Sequence, residues 1–316
     1  YPLAIRATQH LVDDPVRAAV VVSLVAGLLA VLLLWRWLLA KLPSWRARGM
    51  ALAVFLLYPY GWYLYGVVYA DALFVACVLL AFTFVERRSL VLAGLAGALA
   101  TACRPTGLVL VPALVLLGLQ QDGVLAVGPD ATGWARRVAL PLHLDRSAVR
   151  LRSFAPALSL LGIGSYMAYL WVRFGAPFAF TTNESTFRPG DLPVTKSALL
   201  NSLLEPAADP VVTTTLVAQA AIALGALWLA PAVCRRFGAA YGLFVALLVA
   251  MPVVTSADYM GTGRYLMGAF PLAALIGERL AERWSQQRWP AVAWFAASFA
   301  GLLVLSTLFA AGYYVA

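Results

Sequence analysis

Charge is scarce in this sequence. Asp, Glu, Lys and Arg make up 12% of the 316 residues, 63% are hydrophobic, and the mean hydropathy is +0.85. A water-soluble domain of this length needs far more polar surface, so the composition places the chain among polytopic membrane proteins. Histidine is nearly absent. His10 and His143 lie too far apart in sequence to suggest a metal site, and no metal or other cofactor is expected. Cys77, Cys103 and Cys234 fall in or beside apolar runs with no CxxC and no paired spacing, which reads as small core side chains. Lysine is limited to two residues against 21 arginines. With abundant Ala, Leu, Val and Gly, that bias points to a GC-rich bacterial genome. The formal charge of +9 therefore does not call for nucleic acid as a partner. No targeting segment opens the chain at Tyr1, and the sequence reads as a fragment without its N-terminal portion.

What is present is a series of charge-free apolar runs. They cover residues 18–35, 49–70, 72–85, 89–103, 105–121, 153–172, 210–234, 237–257, 265–277 and 289–316. A membrane span takes about 20 apolar residues, so these are ten candidate passes, several of them short. Lys and Arg collect in cytoplasmic loops, which tests the count. With residue 1 outside, ten passes leave 16 basic residues inside and 6 outside, with Arg104 near the outer face. Merging 89–121 into one helix kinked at Pro105 gives 10 and 12 instead. The expected fold is therefore all-α: one transmembrane domain over residues 1–316 with about ten helices. Residues 122–152 form a cytoplasmic loop with an interfacial helix from about Trp134 to Arg152, and residues 173–209 an external loop.

In that topology several charges meet at the outer boundary. Asp71 ends the aromatic stretch "YPYGWYLYGVVYAD". Arg104 follows a run of 15 residues, and Arg264 lies in "ADYMGTGRYLMGAFP" six residues after Asp258. Arg173 closes the sixth pass. Two readings stand for each. Asp71 is a helix N-cap amid an interfacial aromatic belt, or it lines a site. The arginines snorkel to headgroups, or they bind an anion. Asp258 is a solvated turn residue or part of the same site. The functional reading has chemical content: guanidinium groups bind phosphate, a carboxylate takes a proton from a hydroxyl, and aromatic faces suit sugar rings or a prenyl chain.

Several stretches carry a resemblance. "YPLAIRATQHL", "YPYGWYLYGVVYADALF", "GALATACRPTGLVLVPAL", "AYLWVRFGAPFAF" and "GRYLMGAFPLAALIGE" resemble segments of the PIG-V-type (GPI mannosyltransferase 2-like) membrane mannosyltransferases, of the GT-C class. The resemblance implies a polyprenyl-phosphate sugar donor, mannose in the first instance, a glycolipid or glycan acceptor, and metal-free transfer at the external face of a bacterial plasma membrane. Carried over by position, Arg104 and Arg264 engage the donor phosphate. Asp71 stands where the family has Glu and is the candidate catalytic carboxylate. Tyr69, Tyr265 and Asp258 join the substrate-binding set. Ala176 replaces a common Asp, and the family's first outer loop, which carries its usual base, would precede Tyr1. Asp13 and Asp14, followed by Pro15, suit a helix start instead. Two other classes fit the composition: a lipid or solute transporter, and a non-catalytic glycolipid-binding membrane protein. Paired broken helices at mid-bilayer would favour transport, and only the break within 89–119 is seen.

Overall fold

The computed structural model describes residues 1–126, 143–180, 199, 203–204, 209–255, 259–313 and 315. Among them the chain is helical apart from a two-residue antiparallel pairing of Leu125–Ala126 with His143–Leu144. The helices are α1 (Pro2–Thr8), α2 (Pro15–Lys41), α3 (Trp45–Leu56), α4 (Asp71–Glu86), α5 (Leu90–Cys103) and α6 (Leu110–Gln121). Then come α7 (Leu160–Phe174), which extends a 3-10 segment over Leu151–Ser159, α8 (Pro210–Phe237), α9 (Ala239–Thr255), α10 (Phe270–Trp284) and α11 (Trp289–Ala310). Each of the ten apolar runs overlaps one of these helices. By length and composition, four described segments suffice to cross a membrane: α2, Leu151–Phe174, α8 and α11. Three shorter apolar ones are Leu90–Cys103, Pro105–Gln121 and Ala239–Thr255.

Local chemistry explains the boundaries. Asp14 caps α2 by accepting the Arg17 N–H at 2.7 Å, with Pro15 in the first turn, as its place in the sequence suggests. Ser44 caps α3 and Asp209 caps α8 in the same way. Arg104 is extended (φ −152°, ψ 136°), as a residue before proline prefers, and α5 ends there. The chain then turns back. Leu114 lies against Gly97, and Leu90 against Gly118, so α5 and α6 form an antiparallel hairpin and not one kinked helix.

Two expectations change. The run 49–70 is helical only as far as Leu56. Pro59 and Gly61 break it, and a 3-10 turn over Gly61–Leu64 buries Trp62 and Tyr63. The helix expected from Trp134 to Arg152 is absent from its described part. Residues 143–144 pair as strand, and Arg146–Ala148 form a 3-10 turn capped by Asp145. Residues 127–142 lie outside the described set, as does most of the loop expected at 173–209.

Small residues let helices approach closely. A Cβ on Gly162 would overlap the Ala98 carbonyl and the Thr101 hydroxyl, and one on Gly277 would overlap Ala51. The Thr101 hydroxyl donates to the Ser159 carbonyl at 2.6 Å across the first of these contacts. Phe82, Tyr241, Phe244 and Phe270 fill the centre where α4, α9 and α10 meet.

Charges sort to two opposite ends of the bundle. At one end Lys41 pairs with Glu86 at 2.6 Å, Glu86 accepts from the Tyr241 hydroxyl, and Trp37 Nε1 donates to that hydroxyl at 3.1 Å. Arg236 grips Glu278 through two bonds of 2.6 and 2.7 Å and donates to the Lys41 carbonyl. Asp122, at the same end, holds Arg152 and Ser153. Asp71, Arg104 and Arg264 gather at the other end.

Candidate functional site

Three breaks in the chain deliver the three charges. Asp71 is the first residue of α4, and Ala70 is its cap. Arg104 sits where Pro105 stops α5. Arg264 lies on a single helical turn, Thr262–Tyr265, that begins after Gly261 at φ +85°, a conformation that glycine adopts at little cost.

Asp71 and the two arginines, 33 and 193 positions further along the chain, form one buried ion cluster. Asp71 Oδ1 accepts from Arg104 Nη1 and lies 3.7 Å from Arg264 Nε. The side chains are 3% (Asp71), 12% (Arg104) and 10% (Arg264) exposed. The cap of α4 is Ala70, which has no capping side chain, and the Asp71 carboxylate is engaged by guanidinium groups. Among the described residues, one carboxylate faces two guanidiniums. Tyrosines add further contacts. Arg104 stands 4.5 Å from the Tyr265 ring centre, and Arg264 stands 5.2 Å from Tyr69 and 5.5 Å from both Tyr63 and Tyr265. Tyr63 stacks on Trp62 at 3.9 Å, and Phe309 of α11 packs on Trp62 at 4.6 Å.

The structure therefore brings together Asp71, Arg104, Arg264, Tyr69 and Tyr265 from the sequence-based set. Asp258 lies outside the described residues. Arg173 does not belong to the cluster: it is exposed near the far end of α7. Two participants were not singled out from the sequence. Tyr63 was one aromatic among many. Gln219, fully buried in the otherwise apolar middle of α8, accepts the Gly263 N–H at 3.2 Å directly before Arg264. Its signal was a lone amide within a long apolar run.

The cluster is sunken. At 1.5 Å per residue, α4 runs about 24 Å from Asp71 to the opposite charged end. Three helices continue past the level of the cluster. On α2, the Ser23 hydroxyl contacts the Tyr69 carbonyl, and the helix goes on for roughly 12 Å to Pro15. On α8, Gln219 meets Gly263 roughly 13 Å before Pro210. Gly162 packs at Ala98 and Thr101, and α7 then rises roughly 18 Å to Phe174. By contrast α4, α5 and α11 end near the cluster itself. The charges thus form a floor, with α2, α7 and α8 as walls.

Beside this floor lies an apolar cavity of about 490 Å³ between α3, α8, α10 and α11. Tyr58, Pro59, Leu266 and Met267 line its end next to the Arg264 turn, and Val54, Trp228, Ile276 and Trp294 line more of it. The Tyr58 hydroxyl donates to the Gly263 carbonyl at 2.7 Å, so cavity and cluster share one wall. Among the described residues no group of three His, Cys, Asp or Glu side chains is placed to hold a metal. Cys77 and Cys103 are neighbours on α4 and α5, unbridged, and Cys234 packs against Gly242.

Chemically, the arrangement suits a small anion joined to an apolar group. Guanidiniums in a low-dielectric recess bind phosphate through charge-assisted hydrogen bonds that water would weaken. Comparison of the chain with protein-family models, curated proteins and solved structures gives no match, so the likeness to the PIG-V-type enzymes rests on the quoted segments.

Proposed function

We propose that the protein is a glycosyltransferase of the membrane. It moves a sugar, mannose in the first instance, from a polyprenyl-phosphate donor to a glycolipid or glycan acceptor. The site faces the exterior of a bacterial plasma membrane, in a domain of about ten passes. The observation that carries this reading is the sunken Asp71–Arg104–Arg264 cluster beside an apolar cavity. An anionic headgroup would meet the arginines while its chain stays in apolar surroundings.

In this mechanism the acceptor hydroxyl attacks the anomeric carbon, the bond from that carbon to the phosphate oxygen breaks, and the configuration inverts. Negative charge grows on the departing lipid phosphate, where a guanidinium stabilises it most. Arg264 is the better placed of the two, because Arg104 is the closer partner of Asp71. Asp71 then serves as a counter-ion that holds both arginines. The proton from the acceptor hydroxyl passes to a carboxylate base. Asp71 Oδ1 is already taken up by Arg104, so Asp71 reaches the acceptor hydroxyl only if the bound donor draws the arginines away.

A second reading has its own observation. Asp71 is buried and engaged, as it would be in a protein that binds a lipid phosphate without chemistry. One assay separates the two. Full-length protein in membranes receives labelled polyprenyl-phosphate mannose and a membrane lipid extract, alongside Asp71→Asn and Arg264→Ala at matched protein level. Transfer by the wild type and its loss in Arg264→Ala supports the enzyme. Tight binding of the donor by the wild type with no label in any acceptor supports the binding protein. Full transfer by Arg264→Ala removes Arg264 from the donor site.

A further inference from the structure

We propose that Gln219 is a positioning residue: through Gly263 it sets the Arg264 guanidinium within the ion cluster. Gly263, in the Gly261–Tyr265 turn, is held from three sides. Gln219 Oε1 accepts the Gly263 N–H at 3.2 Å. The Gly263 carbonyl accepts from the Tyr58 hydroxyl at 2.7 Å. The Tyr60 ring lies so close to the Gly263 α-carbon that a Cβ there would overlap it. The other end of the Gln219 amide donates to Met260 Sδ at 3.3 Å, which ties the start of the same turn to α8.

The chemistry argues for this role against that of an incidental polar residue. A glutamine has two donors and an acceptor to satisfy, and burying them among Val, Ala and Thr side chains is unfavourable unless they find partners. Both partners of Gln219 lie on one short turn. That turn starts at a left-handed glycine and is a single helical turn long. The residue after Gly263 is Arg264, which lies 3.7 Å from Asp71 and 5.2 to 5.5 Å from three ring centres. Arg104 is fixed by the hairpin and by Asp71, so the clamp acts on one arginine of the two. The function assigned to Arg264 rests on the reading above; the clamp itself does not.

The test uses the full chain in lipid nanodiscs with two variants, Gln219→Met and Tyr58→Phe. Each removes one side of the hold and keeps most of the volume. Phenylglyoxal labels guanidiniums, and mass spectrometry gives the labelling rate of Arg264 and Arg104 in the same molecule. Losing one hydrogen bond shifts the ordered turn by up to roughly tenfold. Arg264 labelling is therefore expected to rise severalfold in both variants while Arg104 keeps its wild-type rate. Binding of geranylgeranyl phosphate, the probe for the anion site, weakens in parallel. Unchanged Arg264 labelling, or an equal rise at both arginines as general loosening gives, overturns the proposal. Selective labelling of Arg264 with no binding of geranylgeranyl phosphate by the wild type leaves the clamp standing and refutes the donor reading.

Discussion

Asp71→Asn removes the one carboxylate that, among the described residues, two buried guanidiniums share. Breaking a buried pair by deleting one partner costs about 3–5 kcal/mol, because the orphaned charge stays out of water. Unfolding entropy of about 2.1 cal/mol/K per residue gives roughly 0.66 kcal/mol/K for a chain of 316 residues. The thermal midpoint should then fall by about 5–8 °C. Arg104→Gln leaves Asp71 with Arg264 at 3.7 Å, so its cost should be smaller than that of Asp71→Asn. The double variant should lie close to Asp71→Asn alone, since the guanidinium it removes was already without its partner.

The assay is thermal unfolding of the purified protein in nanodiscs, followed by tryptophan fluorescence, for the wild type, the two single variants and the double. Residues in contact couple by about 0.5–3 kcal/mol, and independent ones add to within about 0.5 kcal/mol. Additive losses, or Arg104→Gln more harmful than Asp71→Asn, would refute the account of one carboxylate serving two arginines.

Two more predictions concern the opposite end. The Ser153 hydroxyl, and after it Arg152, hold the Asp122 carboxyl below its usual range. A depressed carboxylate contributes stability that is present above the unfolded value, near 3.9, and is lost as pH falls through the folded value. As pH falls below about 4 the wild type should therefore lose more stability than Asp122→Asn, as read from unfolding midpoints; equal acid sensitivity would show that this pairing does not matter. Reporter fusions at Asp145 should read cytoplasmic and fusions at Gly190 external. The reverse pattern would place the cluster on the inner side and end the donor reading.

Much of the site was legible because charge is so rare in the sequence. Asp71, Arg104 and Arg264 stand out in apolar surroundings, and Pro105 marks the break that presents Arg104. Counting apolar residues could not separate a helix from the 3-10 turn at Gly61–Leu64, because Trp62, Tyr63 and Leu64 are as hydrophobic in either form. The cap-or-site ambiguity at Asp71 was not open to resolution from local sequence. Its partner lies 33 residues on, and ion pairing at that range is set by how α4 and α5 pack. Gln219 escaped for a similar reason: its partners lie on a turn more than 40 residues later. Depth was invisible as well. Charge bias assigns a residue to a side, whereas the level of the cluster follows from which helices stop beside it and which continue.

That level bears on energetics. A net positive cluster exposed to water would be screened and would bind a phosphate weakly. Here the walls formed by α2, α7 and α8 and the tyrosine rings displace water, which strengthens each guanidinium contact and also raises the cost of an uncompensated charge. An anion that enters offsets positive charge in the recess, and it stabilises the folded protein by an amount that grows with the logarithm of its affinity. Removing Asp71 makes the cluster more positive by one charge. A bound phosphate should then stabilise the Asp71→Asn protein more than the wild type, while the geometry of the arginines, and any chemistry that depends on it, suffers. Tighter anion binding together with slower transfer in Asp71→Asn is the combination expected of a counter-ion. Loss of transfer with unchanged anion affinity is what a base would give.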